Sequence, residues 1–292
     1  MKLIALLCAS LAALSFPALA ADKIRVASFS TILTEIAEQV GGDHAAVTGL
    51  VKPGVDPHEF QPRPEDLKTV ADSQLVLLSA KHMEAYVGKL KESTGTKGDV
   101  IEVGDGFSSL KMTSEETGKT IEDPHWWHSI ENMERATNIV RDAFIKVDPA
   151  DKTDFMKNAK DYVARLEALR KWARIKISEL PRDKRKLVTS HDAFQYFAKE
   201  NGFTIYAIEG ISTADQPSSK KIADLIATVK AQGVKAIFPE SIENPKVLQE
   251  VTKESGAAVG GKLYADGLGT GDASTYEGMY KHNVTTIVDA LK

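Results

Sequence analysis

The sequence predicts an α/β protein of two lobes, each built on a four-stranded parallel sheet, joined by one long connecting helix. Three observations carry that prediction. Short β-rich runs alternate with helical patterns from Lys23 to Val103, and the same rhythm returns from Lys186 onward. Between the halves lies the most regular helical seam of the chain. Strand–helix alternation builds parallel sheets with helices on their faces. The expected organisation is a leader over 1–20, an N-terminal lobe over 21–149, the connecting helix over 150–181 and a C-terminal lobe over 182–292.

Ile24 to Phe29 reads as the first strand, and Thr31 to Val40 as a helix stopped by Gly41-Gly42. Ala46 to Val51 is the second strand. After a proline-rich loop, Pro64 opens a helix to Ala71. Leu75 to Ser79, a helix from Met83 to Glu92, and Val100 to Val103 complete the first half. In the connector, Phe155, Ala159, Tyr162, Leu166, Leu169, Ala173, Ile177 and Leu180 recur at steps of three and four, from Asp151 to the residue before Pro181. A helix of roughly 30 residues is about 45 Å long, enough to lie along a whole domain. Strands follow at Lys186–Ser190, Phe203–Ile208, Val234–Pro239 and Ala257–Tyr264, and a helix from Tyr276 to Leu291 closes the chain.

Composition narrows the function. The 292 residues are 42% hydrophobic and 27% charged with a net charge of −4, so no basic surface calls for nucleic acid. Met1-Lys2, an apolar run from Leu3 to Leu14 broken only by Ser10, and Ala18-Leu19-Ala20 before Ala21 form a cleaved export signal. The single cysteine, Cys8, lies inside that leader and follows Leu7, which argues against a lipid-anchored cysteine. No later apolar run reaches the ~20 residues of a membrane span. The expected location is the periplasm.

Seven histidines remain to be placed. His44 in its turn, His82 beside Lys81 and His282 on the last helix read as surface. His58, in Pro53-Gly54-Val55-Asp56-Pro57-His58-Glu59-Phe60, follows the second strand in a loop stiffened by proline. His125, in Asp123-Pro124-His125-Trp126-Trp127-His128, follows the fourth. His191 sits at the tip of the fifth strand and Asp266 at the tip of the eighth. Open α/β sheets bind ligands at the carboxyl ends of their strands. Two residues from each half therefore converge on an interlobe cleft, and three imidazoles with one carboxylate suit a tetrahedral Zn²⁺. A strand-end histidine often does no more than bond a backbone carbonyl, a reading that four agreeing placements weaken. His128 is read as a neighbour of the site or a surface residue, and Trp126 and Trp127 as the packing that walls off the cleft.

At these residues the sequence resembles the periplasmic zinc- and manganese-binding proteins that feed ABC importers. The likeness runs from Lys23 to the end. It includes Gly54-Val55-Asp56-Pro57-His58, Asp123-Pro124-His125-Trp126-Trp127, Ser190-His191-Asp192-Ala193-Phe194, Gly210-Ile211-Ser212, Ile237-Phe238-Pro239-Glu240 and Ala265-Asp266-Gly267-Leu268-Gly269. The resemblance implies metal held between two lobes by His58, His125, His191 and Asp266. It implies a permease in the inner membrane as partner, admits a periplasmic metal-donor protein as a second one, and fits a monomer. Two departures stand out: Gly104 to Glu122 carries no histidine, and Trp127-His128-Ser129 replaces the usual apolar-acidic continuation. Histidine at 191, where manganese-preferring relatives tend to carry glutamate, sets the expected metal as Zn²⁺, with Mn²⁺ or Fe²⁺ as the alternative cargo. An enzyme is disfavoured. His58-Glu59-Phe60-Gln61-Pro62 lacks the second histidine of H-E-x-x-H, and no G-x-S-x-G occurs. An adhesin on the same scaffold has no sequence feature in its favour.

Overall fold

The computed structural model describes residues 22–84, 86–113, 118–215, 217–241 and 246–292; the predicted leader, 1–20, lies outside them. The N-terminal half runs β1 (Ile24–Ser28), α1 (Thr31–Gly41), β2 (Ala45–Gly49), α2 (Pro64–Asp72), β3 (Leu75–Leu78), α3 (Val87–Thr94) and β4 (Asp99–Glu102). A hairpin of β5 (Lys111–Thr113) and β6 (Thr120–Glu122) precedes α4 (Ile130–Val147) and the connector α5 (Lys152–Ser178). The C-terminal half runs β7 (Lys186–Thr189), α6 (Gln195–Asn201), β8 (Thr204–Ala207), α7 (Ser219–Gln232), β9 (Ala236–Phe238), α8 (Lys246–Ser255), β10 (Ala258–Val259) and α9 (Tyr276–Leu291).

Each half holds a four-stranded parallel sheet, in the order β2-β1-β3-β4 and β10-β9-β7-β8. The strands at the centre explain themselves. All four residues of β3, Leu75-Val76-Leu77-Leu78, are buried, the pattern of a strand covered on both faces. Ser30 caps α1 by accepting from the Ile32 amide, and Gly42 with φ of 50° ends it in a conformation other residues avoid. Pro64 opens α2, and Asp66 Oδ2 accepts from the Arg63 amide 2.9 Å away.

The connector is real and slightly shorter than predicted, at 27 residues or about 40 Å. Its buried stripe is Phe155, Ala159, Tyr162, Leu166, Leu169, Ala173 and Ile177. It packs on α1 and α4 of the first lobe and on α9 of the second, so one apolar cluster runs unbroken from β1 to the C-terminal helix. A buried carboxylate forms one polar tie across this core. Glu35 of α1 accepts from the Tyr162 hydroxyl at 3.0 Å and from the Tyr276 amide, the first residue of α9, at 2.5 Å. Burial pushes the Glu35 carboxyl up to about 7 despite these two donors. With the folded value raised, its contribution to stability is full below about 4.5 and is lost as pH rises through about 7. Glu35→Gln is therefore expected to gain stability relative to the parent as pH climbs across that window. Parallel urea titrations at each pH check this, and a constant difference would count against the buried, titrating carboxyl.

The structure corrects the predicted elements at four places. α3 starts at Val87 rather than Met83, because Ala80, Lys81 and His82 all take positive φ (66°, 53° and 69°) and turn the chain instead. The last strand does not reach Tyr264: it ends at Val259, Gly260 and Gly261 interrupt it, and the chain rejoins the sheet through one bridge between Leu263 and Glu240. The β5–β6 hairpin and the 18-residue α4 add to the predicted elements.

Candidate metal site

His58, His125, His191 and Asp266 meet at one point between the lobes, each offering a donor atom within 4.8 Å of the others. His125 Nε2 stands 3.2 Å from His58 Nε2 and 3.2 Å from His191 Nε2. Asp266 Oδ1 lies 3.3 Å from the His125 and His191 nitrogens and 3.5 Å from that of His58. Four donors with edges of this length enclose a centre about 2 Å from each, the bond length of a first-row divalent cation. The site is nearly closed: His125 and His191 have no exposure, and the side chains of Asp266 and His58 are 1% and 7% exposed.

Local sequence aims each ring. In Asp56-Pro57-His58 and Asp123-Pro124-His125 the aspartate Oδ1 accepts from the histidine amide two residues on, at 2.8 and 2.9 Å. The same turn thus recurs in both motifs. Asp123 Oδ1 also takes His125 Nδ1 at 2.9 Å. Glu240, at the end of the neighbouring strand, receives the His191 amide at 3.2 Å and His191 Nδ1 at 2.5 Å. With Nδ1 as donor, Nε2 of each ring presents its lone pair to the centre. Asp123 and Glu240 escape notice as functional residues in the sequence. The doubled D-P-H motif was the available signal for the first; for Glu240 it was the Ile237-Phe238-Pro239-Glu240 motif, which does not reveal a partner 49 residues away.

Behind Asp266, the Trp127 indole and His128 Nε2 both donate to the Ala265 carbonyl at 2.8 Å. His128 is buried beside the cluster without belonging to it, and burial drives it down to about 3, so it stays neutral. Trp126 and Trp127 are buried; the Trp127 ring stands edge-on to His125 at 5.5 Å, and Trp126 packs behind it against Trp127 and Phe107. His82 and His282 are exposed. His44 is half-buried and pairs with Asp151 at 2.7 Å through Nδ1 and with Asp154 at 3.0 Å through Nε2, tying the end of α1 to the start of α5. Both ring nitrogens of this second His/Asp group face carboxylates, so it joins the first lobe to the connector.

Electrostatics prepare the cluster for a cation. Burial alone would lower His125 and His191, but Asp123 and Asp266 beside the first, and Asp266 and Glu240 beside the second, outweigh it and raise both. Burial would raise Asp266, yet the three facing imidazoles, His191 foremost, hold it well below the usual carboxylate range. The metal-free cluster thus keeps protons on these two rings, and an incoming divalent cation must displace them.

The family model for the periplasmic component A of zinc-uptake complexes matches residues 26–290. The chain belongs to this family. The manganese-binding lipoprotein MntA of Bacillus subtilis is 35% identical to it over 93% of this chain and 90% of its own. The iron-binding protein YfeA of Yersinia pestis is 31% identical over 93% and 87%. Among solved structures, the periplasmic zinc-binding protein TroA from Treponema pallidum superposes with a TM-score of 0.86 at 28% identity, covering 92% of this chain and 99% of TroA. As a member of the component A family, the protein is a periplasmic substrate-binding component of an ABC metal importer, with a membrane permease implied and no enzymatic activity.

The comparisons overturn Zn²⁺ as the expected metal. Relatives named for manganese or iron predominate, and manganese-bound structures stand among the component A neighbours. The expectation came from a count of three imidazoles together with histidine rather than glutamate at position 191. That count overlooks the fact that both Asp266 oxygens are buried and, among the described residues, neither accepts a hydrogen bond. A carboxylate whose Oδ1 faces the three imidazoles and whose second oxygen has no hydrogen-bond partner among the described residues offers a hard donor able to chelate and so to raise the coordination number above four.

Proposed function

We propose that the protein captures Mn²⁺ or Fe²⁺ in the periplasm with His58, His125, His191 and Asp266 and hands the ion to a membrane permease. The observation that carries this reading is the convergence of three ring nitrogens and a two-oxygen carboxylate on one buried centre. The manganese- and iron-named relatives at 30% identity and above support the choice of ion. A divalent cation replaces the ring protons, joins the two half-sites, and is shielded by Trp127 and the loop bearing His58. Delivery is the reverse: the lobes ease apart, the second half-site is withdrawn, and the remaining donors are too few to hold the ion. The protein is proposed to act as a monomer, since both half-sites come from one chain.

The test is native mass spectrometry on chelator-stripped protein titrated with Mn²⁺, and with Fe²⁺ under anaerobic conditions. One ion per chain is expected to survive buffer exchange, and to be absent from a His125→Ala, His191→Ala double variant. Retention of neither metal would overturn the reading, as would equal retention by the double variant.

A further inference from the structure

The four proposed ligands are not held alike. His125 and His191 each have a buried carboxylate on Nδ1, whereas among the described residues no carboxylate meets Nδ1 of His58. His58 is also the most exposed of the four side chains. It is oriented through its backbone, by the bond from its amide to Asp56 Oδ1. The other oxygen of that carboxylate, Oδ2, accepts from the Thr213 hydroxyl at 2.6 Å, and Thr213 belongs to the loop after β8 in the opposite lobe. That loop is itself fixed: the Gly210 carbonyl accepts from the Asp192 amide at 2.8 Å, next to His191, and Asp215 receives the Ser212 amide at 3.2 Å.

A continuous chain of bonds therefore runs from the residue after His191, through Gly210 and Thr213, across the cleft to Asp56, and so to His58. We propose that Thr213 is a positioning residue for metal retention: its hydroxyl latches Asp56 from across the cleft and holds His58 on the ion only while the lobes are closed. The inference rests on His58 being a ligand. It makes His58 the ligand whose grip depends on closure, since His125 keeps its own lobe's Asp123 in either state.

The two ends of this latch are half-buried, so water can replace the lost hydroxyl at Asp56 when the lobes separate. A hydrogen bond to a carboxylate is a strong one, and its loss from a closed site shows in the rate of release. The experiment is a chelator chase of Mn²⁺-loaded protein, comparing the parent with Thr213→Val, Thr213→Ser and His58→Ala. Thr213→Val keeps the shape and loses the donor. It is expected to release Mn²⁺ about tenfold faster, with the metal-free melting temperature unchanged, while Thr213→Ser restores the parent rate. An unchanged release rate for Thr213→Val alongside strong loss of metal by His58→Ala would overturn the latch and leave the ligand set standing. Parent-like retention by His58→Ala would instead overturn the ligand set on which the latch depends. A Thr213→Ser variant as fast as Thr213→Val would show that packing rather than the hydroxyl matters, and would also overturn it.

Discussion

Asp266→Asn is expected to weaken metal binding by at least about 100-fold and to erase most of the thermal stabilisation that metal confers. Disturbing a group that merely supports a ligand commonly costs 10- to 100-fold, and Asp266 supplies the site's only direct negative charge. The amide is the same size and leaves the surrounding hydrogen bonds in place, since neither carboxylate oxygen accepts one. What changes is charge and chelation. With metal in excess, a 100-fold loss of affinity removes about 2.7 kcal/mol of stabilisation, readable as a smaller shift in melting temperature between stripped and loaded protein. An undiminished shift would mean that Asp266 is no ligand. Metal-free melting of the variant supplies the control for folding.

Affinity is also expected to fall steeply with acid, by up to about 100-fold per pH unit. His125 and His191 both bind protons more tightly in the metal-free protein than an ordinary imidazole, because their carboxylate neighbours outweigh the effect of burial. An incoming ion must displace both protons. Competition from these two rings therefore sets in above the usual histidine value of about 6.5 and is already strong near neutral pH, whereas Asp266 stays ionised and adds nothing to the slope. Calorimetry in two buffers of different ionisation enthalpy counts the protons released, and close to two per ion are expected near neutral pH. A count of zero would remove the histidines from the site.

Much of this arrangement was legible in the sequence, for reasons that differ from element to element. β3 and the connector were readable because burial is written into them: four apolar residues in a row in one, a stripe at steps of three and four in the other. His191 was readable because strand ends in parallel sheets face one cleft, whereas His58 reaches it from within the loop after β2 and His125 from the turn after the β5–β6 hairpin. Asp266 was reached by way of an element that is not there. Its strand ends at Val259, and the residue arrives at the site through a loop pinned by Trp127 and His128. The seam of α4 is written in Ile130, Met133, Thr137, Val140 and Phe144, with Ser129 as its cap. Thr213 had no local signal, and the motif containing Glu240 gave no hint of its role, because each acts on a partner that only the folded chain brings near. The Zn²⁺ expectation failed because histidine at 191 does not by itself set the metal: relatives named for manganese and iron predominate.

The buried carboxyl of Glu35 has a consequence for how the molecule meets acid. Its proton belongs to the folded, lobe-to-lobe contact, so falling pH tightens the seam between α1, α5 and α9. The same fall in pH fills the rings of His125 and His191 and drives the ion out. Acid thus acts on the two halves of the problem with opposite signs. A mildly acidic periplasm would empty the receptor while bracing its scaffold, leaving an intact molecule ready to reload once neutrality returns.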